Sequence, residues 1–203
     1  MITVVGIGPG AAEYQTAAAR QAVAQAEILV GGARHLALYP HFYGEKKKLD
    51  ADIDQLMVWL EQRRYQQVVV LASGDPLFYG IGKRISASFP PEQVRIIPGI
   101  SALQYLCAQI QQDMNDIYLT SSHGRSPDFD WLLAHPKIGM VTDKVIGPRK
   151  IADEILARGQ RRLLVIGENL SQSNQRITIL KPEHVASGDD MYDINVVVIL
   201  NER

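Results

Sequence analysis

Four short stretches hold the residue types on which chemistry could be built. Ser73-Gly74-Asp75-Pro76 combines a hydroxyl, a carboxylate and two turn formers. Gly6-Ile7-Gly8-Pro9-Gly10 and Pro98-Gly99-Ile100-Ser101-Ala102 are two more glycine–proline bends, and Ser121-Ser122-His123-Gly124-Arg125 gathers an imidazole and a guanidinium in one polar run. Glycine takes positive φ and lets a second backbone approach, proline stiffens the chain, and aspartate accepts backbone N–H bonds. Such bends are either plain strand-to-helix turns or the wall of a rigid main-chain pocket for a bulky ligand. They do not suit a pyrophosphate. The spacing Gly-x-Gly-Pro-Gly departs from the dinucleotide fingerprint, Pro9 removes an N–H donor, and Ile28-Leu29-Val30 runs into Gly31-Gly32 with no acid to hold a ribose hydroxyl. An NAD-dependent oxidoreductase is therefore disfavoured.

Each bend ends an apolar run. Ile2-Thr3-Val4-Val5, Ile28-Leu29-Val30, Val68-Val69-Val70-Leu71-Ala72 and Val94-Arg95-Ile96-Ile97 read as strands, the third buried on both faces. Between them, 13–26 is alanine-rich and helical, and 34–39 is a short helix. Residues 51–64 form an amphipathic helix with Ile53, Leu56, Met57 and Leu60 at helical spacing, and 79–89 are helical up to Pro90-Pro91. Pro76 is placed to begin that last helix, Ser101 to cap one running through Gln111, and a further strand lies near Lys48-Leu49. This alternation predicts an α/β fold with a mostly parallel sheet. The polar run 111–116 marks a boundary between domains at 1–112 and 113–203. In the second domain, strands at 117–120, 138–142 and 163–166 alternate with helices at 128–134, where Trp131 reads as core packing, and from Pro148 to Ala157. Residues 176–180 alternate and are expected to form a hairpin edge with the last strand, 195–200, giving a mixed sheet.

A chain of 203 residues with 21 basic and 22 acidic side chains has a net charge of −1, so no global field draws it to nucleic acid or anionic lipid. A charged ligand must be met locally. Lys46-Lys47-Lys48 is the strongest basic cluster, either a solvated loop or a docking patch for carboxylates. The single Cys107 sits in an apolar helical pattern and reads as a core thiol, which leaves no disulfide framework and no cysteine cluster for zinc. His35, His41, His135 and His184 lack metal-ligand spacing and read as surface or packing residues. Without a leader-like or membrane-length apolar segment, the expectation is a soluble cytoplasmic protein.

The three glycine–proline motifs, in this order and including Phe78 and Gly80, resemble the tetrapyrrole (corrin) methylase family over almost the whole chain. Val30-Gly31-Gly32 with Arg34, His123-Gly124-Arg125, Val141-Thr142-Asp143, Gly167-Glu168-Asn169-Leu170 and Gln175-Arg176-Ile177 resemble its branch that methylates carbon 5 of a precorrin or cobalt-precorrin in cobalamin biosynthesis. Ser122 stands where that branch usually has an apolar residue, and Ser171 where a glycine often follows Asn-Leu.

The resemblance implies two α/β domains with a cleft between them and a homodimer. It also implies S-adenosylmethionine as methyl donor, with S-adenosylhomocysteine as product, held mostly by main-chain groups. Position by position, the donor is expected to touch Pro9, Ser73, Gly74, Asp75, Phe78, Ser101 and Ala102, and from the second domain Thr142 or Asp143 and Asn169 or Leu170. Phe78 and Ala102 have ordinary core packing as their alternative. The acceptor implied is a large macrocycle with several carboxylates, for which Arg125, then Arg34, then Lys46 to Lys48 and Lys144 are candidate clamps. A surface salt bridge is the alternative for Arg34. His123 either takes the proton displaced from the ring carbon, hydrogen-bonds a substrate carboxylate, or caps the neighbouring helix. No metal site is expected on the protein, since any cobalt arrives inside the substrate. Alternatives are methylation at another ring carbon and a non-catalytic tetrapyrrole-binding protein. Some family members carry or pair with a second methylase that also decarboxylates an acetate side chain, and at 203 residues the resemblance implies a separate partner for that step.

Overall fold

The computed structural model describes residues 1–188 and 191–202. Contacts divide the chain into two units, Met1–Ser101 and Ala102–Arg203, each built around a five-stranded sheet.

In the first unit, β1 (Ile2–Gly6), β2 (Ile28–Gly31), β3 (Glu45–Lys48), β4 (Val68–Ala72) and β5 (Val94–Ile97) form a parallel sheet in the order β3-β2-β4-β1-β5. Every residue of β1 and β4 is buried, which is why both read as unbroken apolar runs rather than alternating ones. One face of the sheet packs Val4 and Val70 against Leu56 and Leu60 of α3 (Ile53–Glu61) and Ile85 of α4 (Gly82–Ser88). The other packs Val5, Val69 and Leu71 against Ala19 and Val23 of α1 (Ala17–Ala24). The helix expected from residue 13 begins later, because Thr16 accepts the Ala19 N–H and caps α1 after a short 3-10 turn at Ala12–Tyr14. The short helix after β2 is α2 (Ala33–Ala37). Pro76 does not begin α4. It lies in a tight turn closed by the Gly82 N–H on its carbonyl at 3.0 Å, and a Cβ on Gly80 or Gly82 would stand 2.6 Å from that oxygen. The lysine run lies on the edge strand β3, where charge discourages pairing with another chain.

The second unit orders β6 (Tyr118–Ser121), β7 (Lys137–Val141), β8 (Arg162–Glu168), β9 (Arg176–Leu180) and β10 (Asn195–Asn201) as β6-β7-β10-β8-β9. β6 and β7 are parallel and the other pairs antiparallel, so the sheet is mixed. The expected pairing of β9 with the last strand does not occur. β10 is buried from Val196 to Ile199 and takes a central place between β7 and β8, while the half-exposed β9 pairs with β8 at the edge. α5 (Ala102–Gln109) belongs to this unit, its Leu103 near Gly139 of β7 and its Leu106 against Gly167 of β8. The polar run 111–116 falls between α5 and β6. α7 (Pro148–Ala157) and α8 (Pro182–Ser187) complete the unit with α6 (Phe129–Leu132). Trp131 is 59% exposed rather than core, because one turn of α6 turns Phe129 and Leu132 inward and leaves the indole edge-on to Tyr118 and His135. Buried Arg162 spends its donors on the carbonyls of Leu133, His135 and Pro136. Cys107 is buried, as its apolar setting predicted. Among the described residues no helix is long and apolar enough to cross a membrane, and no cluster of His, Cys, Asp or Glu could hold a metal ion.

Candidate active site

The carboxyl ends of β4, β1 and β5 are adjacent, and their three bends are joined by main-chain hydrogen bonds. Gly8 and Gly74 exchange N–H···O bonds of 2.9 and 3.3 Å, and the Ile7 N–H reaches the Ala72 carbonyl at 3.0 Å. Gly8 and Gly74 adopt φ of +78° and +59°, which a side chain would resist. The Asp75 carboxylate closes the group. One oxygen accepts the Leu77 N–H at 2.8 Å within its own turn, and the other accepts the Gly99 N–H at 3.1 Å across to the bend after β5. Pro9, Ser73, Gly74, Asp75 and Ser101 therefore lie on three strand ends fixed to one another, where open α/β sheets place their ligands. Phe78 is half-buried and meets Tyr79 edge-on with centroids 5.1 Å apart.

A fourth strand end joins this edge. The His35 Nε2 lies 2.8 Å from the Ser73 hydroxyl, linking α2 after β2 to the bend after β4. The sequence marks His35 only as a surface or packing residue. Arg34, beside it, is exposed, whereas Lys46 lies on the edge strand and donates to the Tyr39 carbonyl at 2.6 Å, away from the bends.

The second unit gathers its own strand ends. β6, β7 and β8 all finish at one edge of the sheet, where the register sets Val141 and Gly167 on either side of Val196. The Asp143 carboxylate accepts the N–H groups of Val145 and Ile146 at 2.9 and 2.7 Å. These bonds, the Ile146 one foremost, hold its carboxyl below the ordinary carboxylate range, helped by the Gly124 N–H and the charge of His123. Ser122 is fully buried and satisfied, donating to the Ile146 carbonyl and accepting the Asp143 N–H, which accounts for a hydroxyl in a buried place. His123 is exposed, its N–H on the Ser121 hydroxyl at 3.0 Å. Arg125 is exposed but anchored, donating to the Ser121 carbonyl and the Thr120 hydroxyl at 2.9 Å each, beside a small cavity lined by Tyr118, Asp128 and Trp131. Asn169, at φ +46°, donates to Asp193 at 2.9 Å. Leu170 is buried and Leu106 packs beside it on Gly167, and Ala102 opens α5. Glu168 and Arg176, two of the motif residues, form a bidentate pair of 2.6 and 3.1 Å that also takes the Asp193 N–H, so they hold the loop rather than offer charge to a ligand.

Residues 6–10, 73–80 and 98–102 include one carboxylate, two serine hydroxyls and no cationic side chain. That donor set fits a cationic ligand with hydroxyl and amine groups, such as S-adenosylmethionine, and not a pyrophosphate.

The family model for Tetrapyrrole (Corrin/Porphyrin) Methylases matches residues 1–186, and the chain belongs to that family. It is 56% identical over 204 residues to the cobalt-precorrin-7 C(5)-methyltransferase of Salmonella typhimurium, covering the whole of both chains. It is 31% identical over 182 residues to the precorrin-6Y C(5,15)-methyltransferase [decarboxylating] of a Sinorhizobium species, matching 87% of this chain and 44% of that one. Among solved structures, the precorrin-6Y methylase of Archaeoglobus fulgidus superposes with a TM-score of 0.78 at 23% identity, covering 100% of this chain and 99% of that one. A diphthine synthase reaches the same TM-score at 18% identity, covering 98% and 91%, so the fold alone does not select an acceptor.

Proposed function

We propose that this chain transfers a methyl group from S-adenosylmethionine to carbon 5 of a cobalt-precorrin or precorrin macrocycle in cobalamin biosynthesis. The observation that supports it most is the welding of three glycine–proline bends at adjacent strand ends, in a chain 56% identical throughout to a methyltransferase named for that carbon. When bound, S-adenosylmethionine supplies an electrophilic methyl group on a sulfonium sulfur. The protein's task is then chiefly to position, since charge disperses as the bond breaks and no strong acid is called for. We assign Pro9, Ser73, Gly74, Asp75, Phe78 and Ser101 to the donor. Ala102, Asp143, Asn169 and Leu170 are assigned to it on the family pattern, through main-chain atoms, because the Asp143 side chain is engaged within its own loop and that of Asn169 with Asp193.

Arg125 is assigned to a substrate carboxylate, with Arg34 second. Its bonds to Ser121 and Thr120 pre-orient the guanidinium and lower the entropic cost of using it. Lys46 is the weakest of these assignments, on an edge strand apart from the bends. His123 is exposed at its strand end and suits either proton removal from the ring carbon or a carboxylate contact. The chain spans under half of the Sinorhizobium relative, whose name joins methylation at two carbons with decarboxylation. We infer that a separate enzyme performs the second reaction, and that this chain works as a soluble cytoplasmic homodimer.

Incubation with S-adenosylmethionine carrying a labelled methyl group, with cobalt-bearing and metal-free macrocycles in parallel, tests the reading. Mass spectrometry should find one methyl added and NMR should place it on carbon 5. Label on another ring carbon, as the partial likeness to a probable cobalt-factor III C(17)-methyltransferase would suggest, overturns the regiochemistry, and binding without transfer overturns the enzyme.

A further inference from the structure

We propose that His35 is a positioning residue for the methyl donor, fixing the Ser73 hydroxyl as a hydrogen-bond donor to an acceptor atom of that ligand. The inference rests on the reading of the β4 bend as part of the donor niche. Its ground is the contrast between the two ring nitrogens. Nε2 is 2.8 Å from the Ser73 Oγ, whereas Nδ1 is buried with no hydrogen-bond partner and faces Gly32, whose added Cβ would lie 3.9 Å away. A proton on Nδ1 would be a buried N–H with nothing to accept it, so the favoured tautomer carries its proton on Nε2. Nε2–H then donates to Ser73, one serine lone pair is taken, and the serine proton is left for another acceptor. Ser73 is exposed at the strand end, so that acceptor can belong to a ligand.

The same burial, reinforced by the neighbouring Arg34, holds the imidazole below its ordinary pKa and therefore neutral. A neutral ring at this place adds no positive charge beside a sulfonium. Gly31 favours the arrangement. A Cβ there would come 3.3 Å from the His35 Cβ, so a side chain would press the imidazole out of its place by a few tenths of an ångström, whereas one on Gly32 would make only ordinary contact with Nδ1.

The test is a double-mutant cycle on the full chain, read by calorimetry with S-adenosylhomocysteine and by methyl-transfer kinetics. His35→Ala and Ser73→Ala should each weaken binding roughly three- to tenfold, the size of one lost hydrogen bond. The double variant should be no weaker than either single one, because both remove the same bond. His35→Gln, whose amide can donate to Ser73, should recover most of the affinity. The loss should fall on KM for S-adenosylmethionine with kcat nearly unchanged, a split that general loosening of the fold would not give. Additive losses, no rescue by glutamine, or variants that bind as the parent does overturn the inference while the donor niche stands. If the parent chain itself fails to bind S-adenosylhomocysteine, the niche falls and the inference with it.

Discussion

Gly6→Ala isolates the packing of the strand-end bends from the chemistry they serve. Gly6 is the last residue of β1 and its φ is not positive, so alanine brings no backbone strain of its own. The added Cβ would lie 2.5 Å from the Gly99 nitrogen, 2.6 Å from the Gly74 oxygen and 2.7 Å from the Gly99 Cα. Ordinary contacts of these kinds begin well above 3 Å, and all three neighbours are backbone, so no side chain can swing aside. The bends after β4 and β5 must each retreat by the better part of an ångström. Overpacking of this sort costs about 1–3 kcal/mol, and the retreat stretches the Asp75–Gly99 bond, a charge-assisted contact worth about 1.5–3 kcal/mol. The sum, about 2.5–6 kcal/mol, is a large part of the ~5–15 kcal/mol that holds a domain together. Thermal unfolding should therefore shift down by roughly 5 to 24 °C for a chain of this size. Gly124→Ala is the control. Its Cβ would meet nothing within 4 Å, although its φ of +67° makes alanine cost about 1–2 kcal/mol. Urea melts of both variants, with calorimetry of S-adenosylhomocysteine on whatever remains folded, decide the matter. A Gly6→Ala protein that melts no lower than Gly124→Ala refutes the account of backbone-on-backbone packing.

Ser171 holds φ at +63° where a glycine would be unstrained, so Ser171→Gly should stabilise the chain by about 0.5–1 kcal/mol once the entropy of glycine is set against the relieved strain, seen as a small rise in the urea midpoint. The Asp143 carboxyl is held below its usual 3.8 by the N–H groups it accepts, so the stability it contributes is fully present above that value and fades as pH falls through the lowered one. The difference in stability between the parent and Asp143→Ala should thus be constant at neutral pH and shrink below about pH 4. A gap unchanged down to pH 2.5 would show that the charge of Asp143 is not what holds the turn.

The bends and the strands before them were legible because both signals are local: an apolar run says strand, and glycine with proline says where it must stop. What escaped depends on neighbours in space. Chain order gives β2, β3, β4, whereas the sheet sets β2 directly against β4, and only that adjacency brings His35 to Ser73 across 38 positions of sequence. The alternation of 176–180 marked a strand but not its partner, and burial of Val196 to Ile199 on both faces is what drew β10 to the centre and left β9 to β8. Trp131 reads as core because aromatic residues usually are, but a helix of one turn has too little period to say which side faces in.

Asp75 and Asp143 show why the residues that look most like ligand contacts serve the protein first. Each follows a strand with a buried centre, each accepts an N–H two residues on, and each also takes the N–H of a glycine in the bend after another strand of its own sheet, Gly99 in one unit and Gly124 in the other. A carboxylate is the side chain suited to this double duty, since it accepts several bonds at once and holds them more strongly when ionised. The consequence is that its geometry is fixed before any ligand arrives, and for Asp75 no basic residue in the three bends of the first unit cancels the charge. A surface of fixed amides and carbonyls with one uncompensated negative charge favours a ligand that is itself positive. A sulfonium has that charge and the thioether left after methyl transfer does not, so the same arrangement that would gather the donor would hold its product less tightly.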